Sequence, residues 1–160
     1  MRIAARITAV LSAALGICTL SFASPGPGID AVLSTVARDY CAHSRRGFLS
    51  LNPKVATIKD VPESRAMLRG FFGDPDLVDA FFSQNTEDIR LPKGGRYACY
   101  QLSEYGELAL SLPVFSKSND TAFVYLADNC PGLCGHGALY VLHLTGRRWS
   151  IARRIPLWVS

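Results

Sequence analysis

The stretch "TAFVYLADNCPGLCGHGALYVLHLTGRRWSIARRIPLW", residues 121–158, decides the fold. Three apolar runs in it predict strands: "TAFVYLAD", "ALYVLHL" and "RRWSIARRIPLW", with the last one expected to break at Pro156. In the second run, Ala138, Tyr140, Leu142 and Leu144 share one face, and His143 lies on the other. The links between the runs, a cysteine loop and "TG", are short, so the three strands are predicted to be antiparallel neighbours.

The segments before this stretch complete an α+β pattern. "RYACYQL" and "ELALSLPVF" read as two further strands, with Pro113 predicting a sheet edge or a bulge. Upstream, a stripe of apolar residues at three- and four-residue steps from Ile29 to Cys41 predicts a first helix. Pro62 opens a second helix that Gly73 ends, and Asp74 caps a third.

The predicted fold is therefore α+β, with about three N-terminal helices packed on one face of a C-terminal antiparallel meander of about five strands. The segment 44–60 is expected to be irregular. The order of elements also resembles that of NTF2-like and cystatin-like domains, which is an analogy of fold alone. Residues 24–160 are predicted to form a single domain.

Residues 1–23 have the character of a signal peptide. Arg2 and Arg6 precede an uncharged apolar run, and the small residues Ser21 and Ala23 predict cleavage before Ser24. Cys18 offers an alternative, lipid attachment after a short apolar run, although Ile17 before it is larger than a lipidation site prefers. The protein is expected to be periplasmic or secreted, with no membrane span after processing.

The charge balance argues against a nucleic-acid partner. Without residues 1–23 the chain keeps 15 basic and 13 acidic side chains, a net charge of +2. Four arginines and no acidic side chain fall within residues 129–160, a pattern typical of a solvated strand face. Strand alternation places Arg153 on the side of Trp149 and Ile151, so Arg153 rather than Arg154 is expected to reach inward.

The cysteines of an exported chain favour disulfides. Four remain after processing, and three pairings are possible in principle. Cys130 and Cys134 are close enough for the turn between them to join them, which would leave Cys41 and Cys99 for each other. The short loop is expected to be ordered by its disulfide, with a small contribution to stability.

Zinc binding by Cys130, Cys134, His136 and His143 is the alternative use of this loop. The residue types suit zinc, but the spacing is not a standard one and oxidised cysteines do not ligate. A redox centre or a cysteine nucleophile is disfavoured by the C-x3-C spacing and by the even cysteine count. No catalytic residue, metal or cofactor is therefore predicted.

The C-terminal segment resembles the closing segment of a group of exported bacterial proteins. The shared pattern is a C-x-x-LCG-x-G loop between strands, then a tryptophan strand and a final W-[IV]-S. The matching residues are Cys130, Leu133, Cys134, Gly135, Gly137, Tyr140, Trp149, Trp158, Val159 and Ser160. The resemblance implies export and a shared hairpin, and it carries no catalytic residue to this chain.

Two functional hypotheses remain. The first is a non-enzymatic binding domain whose partner is a protein or a component of the cell envelope. The second is a small-ligand carrier or an enzyme with a pocket in a cone-shaped sheet, lined by Tyr100, Tyr125, His143 and Trp158. A cavity on which polar groups converge favours the second hypothesis, and a sheet face packed without a cavity favours the first.

We expect the exported protein to begin at Ser24, because the charged start, the apolar run and the small-residue site occur together. Intact-mass measurement of the exported protein checks this, and a chain that begins at Cys18 with a lipid adduct would contradict it.

Overall fold

The structure, a computed structural model, describes residues 28–44, 49–92, 100–103, 105–130, 132 and 134–160. The helices there are α1 (Ile29–His43), α2 (Pro62–Phe72) and α3 (Pro75–Gln84). The strands are β1 (Leu49–Leu51), β2 (Tyr100–Leu102), β3 (Leu108–Leu110), β4 (Val114–Phe115), β5 (Thr121–Asp128), β6 (His136–Thr145) and β7 (Arg148–Val159). The α+β class, with helices ahead of a largely antiparallel set of strands, is confirmed. The predicted signal peptide and Cys18 lie outside the described residues.

The helix boundaries follow the predicted signals. Pro62 occupies the first turn of α2, and Gly73 ends that helix at a φ of 70°, a left-handed conformation that glycine adopts without a side-chain clash. The side chain of Asp74 then accepts a hydrogen bond of 2.9 Å from the backbone N–H of Asp76 at the start of α3. α3 therefore begins directly after α2, with only Gly73 and Asp74 between the two helices.

The strands form one sheet in the order β2-β1-β3-β5-β6-β7. β4 is not part of this order and pairs with β5. β5, β6 and β7 form the predicted antiparallel meander. β1 runs parallel to both β2 and β3. β1 lies in the segment that was expected to be irregular, because three residues are too few to show a period of two.

The helices cover both faces of the sheet, whereas the sequence predicts all three on one face. α1 packs on the face that contains Ala122, Val124 and Leu126 of β5. α2 and α3 pack on the opposite face, which contains Phe123, Tyr125 and Ala127. The physical reason is that β5 is apolar at successive positions, so both of its faces need cover. The analogy with NTF2-like or cystatin-like domains rested on element order and stays a prediction.

Pro113 interrupts the strand predicted around it, whereas Pro156 lies within a continuous strand. Pro113 separates β3 from β4, where one strand with an edge or bulge was predicted. β7 runs through Pro156 without the predicted break. β7 can contain a proline because it lies at the end of the strand order, where a missing N–H does not interrupt a second ladder.

A bulge in β7 reverses the predicted orientation of two arginines. The pairing of β6 with β7 shifts at Val141/Leu142, which leaves Ala152 as an extra residue. Arg154 therefore pairs with Tyr140 and lies on the α1 face, where its guanidinium binds both carboxylate oxygens of Asp39. Arg153 is exposed and lies across from Val141 on the other face. The expectation that Arg153 reaches inward is wrong.

We expect Arg154→Gln to destabilise the fold more than Arg153→Gln. The Arg154–Asp39 pair is bidentate but its arginine side chain is 45% exposed, so the expected loss is about 0.5–1 kcal/mol. Arg153→Gln should change stability by less than about 0.5 kcal/mol, as is usual for an exposed position. Chemical denaturation of the two variants measures the difference, and equal losses would contradict the assigned bulge.

Candidate functional site

A buried acid and a tyrosine form the floor of the site. Asp128 is the last residue of β5 and is 3% exposed. The hydroxyl of Tyr40, in the last turns of α1, donates a hydrogen bond of 2.5 Å to Asp128 Oδ2. Burial of a carboxylate is costly without such donors, so this bond ties the end of α1 to the end of β5.

The disulfide loop adds a histidine to the same face. Cys130 and Cys134 form the predicted disulfide, with their Cα atoms 5.7 Å apart. The loop connects β5 to β6 with Asp128 directly opposite His136. The His136 ring stacks on Tyr40, with 5.8 Å between ring centroids and 28° between ring planes. The loop therefore sets the register that brings Asp128, Tyr40 and His136 together.

The ion pair of Arg154 and Asp39 borders this cluster. The hydrogen bonds that the guanidinium of Arg154 donates to the Asp39 carboxylate raise the pKa of Arg154, which keeps the guanidinium charged. Tyr140 lies beside the pair and is 4% exposed. Burial raises the pKa of Tyr140 to about 12, and the Asp39 carboxylate adds to the shift. Tyr140 thus offers a neutral ring and hydroxyl near neutral pH.

The indole of Trp158 forms one wall of the site, and it can lie there because its cross-strand partner, Gly137, has no side chain. The indole N–H donates a hydrogen bond of 2.8 Å to the hydroxyl of Tyr125. The indole lies so close to Gly137 that a Cβ at that position would overlap it. A Cβ at Gly135 would in turn come within 2.7 Å of the Ser160 hydroxyl and 3.2 Å of the indole. Gly137 of β6 is thus required by the close approach of the indole, and Gly135 gives Ser160 and the indole room to pack.

Together these groups line an open cavity of about 620 Å³, which we name the α1 cavity. It lies between the end of α1, the disulfide loop and strands β6 and β7. Its walls include Tyr40, Asp128, His136, Ala138, Tyr140, Arg154, Pro156 and Trp158. His43 also lines it and is 63% exposed, so the cavity opens to solvent beside α1. The volume lies in the range of about 300–1,000 Å³ that is usual for small-ligand pockets.

The structure brings together two of the four predicted pocket residues. Tyr125 and Trp158 share a hydrogen bond and line a second cavity of about 310 Å³. Trp158 also lines the α1 cavity. His143 lies elsewhere: it is exposed and its Nδ1 is 3.1 Å from the hydroxyl of Thr121 at the other end of β5. The side chain of Tyr100 lies outside the described part of the chain.

The four candidate zinc ligands do not meet. His136 and His143 are seven residues apart on β6, a separation of about 23 Å in a strand, and they point to opposite faces. Cys130 and Cys134 are bonded to each other. Within the described ranges, no three His, Cys, Asp or Glu side chains are grouped as a metal site would need.

The other predicted disulfide is described at one end. Cys41 is disulfide-bonded. Cys99 lies outside the described residues, so the Cys41–Cys99 pairing stays a prediction.

Tyr40, Asp128 and Arg154 are site residues that the sequence alone does not predict. Tyr40 lies on a helix stripe that predicts core, and Arg154 lies among four arginines that predict a solvated face. The one local signal is Asp128, an acid that directly follows the apolar run "AFVYLA". An acid at the end of a buried strand is itself buried, and its carboxylate then needs a hydrogen-bond donor.

No protein-family model, curated protein or solved structure matches the chain. None of the helices in the described ranges combines the length and the apolar character that a membrane crossing requires. A functional hypothesis therefore depends on the residues of the α1 cavity and of the sheet around it.

We expect Gly137→Ala to destabilise the protein by about 1–3 kcal/mol, because the added methyl overlaps the Trp158 indole. Gly70→Ala in α2 is the matched control, since a Cβ there meets nothing within 4 Å. Alanine should stabilise that helix by about 0.5–1 kcal/mol. Denaturation midpoints of the two variants should move in opposite directions, and a neutral Gly137→Ala would contradict the packing of Trp158.

Proposed function

We propose that this chain is an exported binding domain that holds a small ligand in the α1 cavity. The observation that carries the proposal is the convergence of Tyr40, Asp128 and His136 on an aromatic-walled cavity of ligand size. Ligand sites commonly combine apolar walls with a few placed polar groups, and this cavity has both.

The walls favour a ligand with a flat apolar body and one polar group. The stacked rings of Tyr40 and His136 and the indole of Trp158 offer surfaces against which a planar ligand can pack. The hydroxyl of Tyr40 and the carboxylate of Asp128 provide hydrogen-bonding atoms at one end of the cavity. The hydroxyl of Tyr140, which burial keeps protonated, is a further polar group in the wall.

Binding is a better account of these residues than catalysis. Asp39 is committed to Arg154, and Asp128 accepts the hydrogen bond of Tyr40. The polar groups thus hold one another in fixed positions, as a binding wall needs. A catalytic acid or base must exchange a proton with a substrate, whereas both of these carboxylates already accept hydrogen bonds from side chains of the protein.

Export is supported by the character of residues 1–23, by the Cys130–Cys134 disulfide and by the resemblance of the C-terminal segment to exported bacterial proteins. A periplasmic or secreted location would let the cavity sample small molecules of the cell envelope.

The proposal is tested by filling the cavity. Ala138 lines it on β6, so Ala138→Leu should place extra carbon atoms in the cavity without adding a charge. Binding of the neutral apolar dye N-phenyl-1-naphthylamine, followed by its fluorescence, should weaken about tenfold or more, equivalent to about 1.4 kcal/mol. Ala152→Leu, at the exposed bulge of β7, is the matched control and should bind the dye as the unchanged protein does.

Trp158 supplies a second measurement. The chain has two tryptophans, and Trp149 is buried beside Phe115, outside the lining of the α1 cavity. Dye binding in the cavity should quench Trp158, and Trp158→Phe should remove that quenching. Equal dye affinity in the Ala138→Leu and Ala152→Leu variants would contradict the proposal.

A further inference from the structure

The outer edge of β7 is a second surface with binding character. β7 is 12 residues long and lies at the end of the strand order, paired with β6 on one side. Among the described residues, no strand pairs with its other side. Alternate backbone N–H and C=O groups of a strand point to each side, so a row of hydrogen-bonding groups faces outward. Such an edge is a template for the addition of a further strand, which would have to pair on both sides of the bulge at Ala152.

The charge along this edge has one sign. Arg148 and Arg153 of β7 and Arg147 in the turn before it are exposed, and no ion pair joins them to an acid in the described residues. Arg154 differs, because Asp39 of α1 neutralises it. Residues 129–160 contain no acidic side chain, so the edge itself supplies no counter-charge. The charge that fits this surface is negative.

A second copy of the chain does not fit the edge. Pairing of two β7 edges would bring both sets of arginines onto one ribbon, where like charges on adjacent strands repel. The occupant therefore has the opposite charge. Because the edge offers backbone groups along an extended strand, the occupant is an extended polypeptide rather than a folded acidic surface.

We propose that the outer edge of β7 between Arg148 and Ile155 binds an extended acidic segment of another protein, which adds to the sheet as a strand. Backbone hydrogen bonds would supply the pairing, and Arg148 and Arg153 would select Asp or Glu side chains in the segment. Pro156 limits the site at one end, because it has no N–H to donate. This site is separate from the α1 cavity and does not depend on the ligand proposed for it.

The probe is a fluorescein-labelled peptide of about ten residues that alternates Glu and Thr, a length typical of one long strand. It should bind the mature protein, and its affinity should fall as salt is added. The same peptide with Gln in place of Glu should bind at least about tenfold more weakly, because the selecting charges are gone. A Glu peptide with alternate N-methylated residues should also bind weakly, because its backbone donors are blocked.

The protein variants test where the peptide binds. Arg148→Glu combined with Arg153→Glu should weaken binding about tenfold or more, since attraction becomes repulsion at both positions. Arg38→Glu combined with Arg69→Glu, at exposed positions of α1 and α2, changes the net charge equally and should leave binding unchanged. Circular dichroism checks that both variants fold.

Hydrogen exchange of the unmodified protein gives an answer that needs no variant. Saturation with the Glu peptide should slow exchange of amides in β7 between Arg148 and Ile155. Binding without that protection, or equal losses in the two double variants, would mean attraction to net charge alone and would overturn the proposal. No binding of the Glu peptide would also overturn it.

Discussion

The burial of β5 on both faces is the constraint on which the rest of the structure depends. Every residue from Ala122 to Asp128 is buried. Full burial of a side chain such as Leu126 or Phe123 contributes about 1.5–3 kcal/mol, and the gain on each face requires a covering layer. α1 supplies that layer on one face, and α2 with α3 supply it on the other. The three-layer arrangement follows from one apolar strand.

The same constraint creates the candidate site. The buried run of β5 ends at Asp128, a residue with a carboxylate side chain that is itself only 3% exposed. Tyr40 makes that burial possible by donating to Asp128, which fixes the end of α1 against the sheet. The disulfide loop then returns the chain opposite Asp128, at His136. The cavity therefore forms where the two covering elements of this face, α1 and the loop, meet without filling the space between them.

The sequence predicts the elements well because each has a local signal. Pro62, Gly73 and Asp74 mark helix ends through backbone chemistry that acts within a few residues. The spacing of Cys130 and Cys134 likewise predicts their disulfide. The distribution of helices over the two faces has a weaker signal, the unbroken run "AFVYLA", which differs from the alternation of a half-exposed strand. The partners of Tyr40 and Arg154 have no local signal, because they depend on which helix covers which face.

The bulge at Ala152 shows why strand parity alone is insufficient in β7. Trp149 packs with Phe115 on the α1 side, and Trp158 reaches Tyr125, which faces the other helices. The pairing accommodates both tryptophans with two register shifts, one at Ala152 and one between Pro156 and Trp158. Each shift reverses the parity, so the strand leaves Arg154 on the side of Asp39 and turns Arg153 away from it. The packing of two large side chains thus decides which arginine is neutralised within the fold and which arginines keep their charge for the solvent edge.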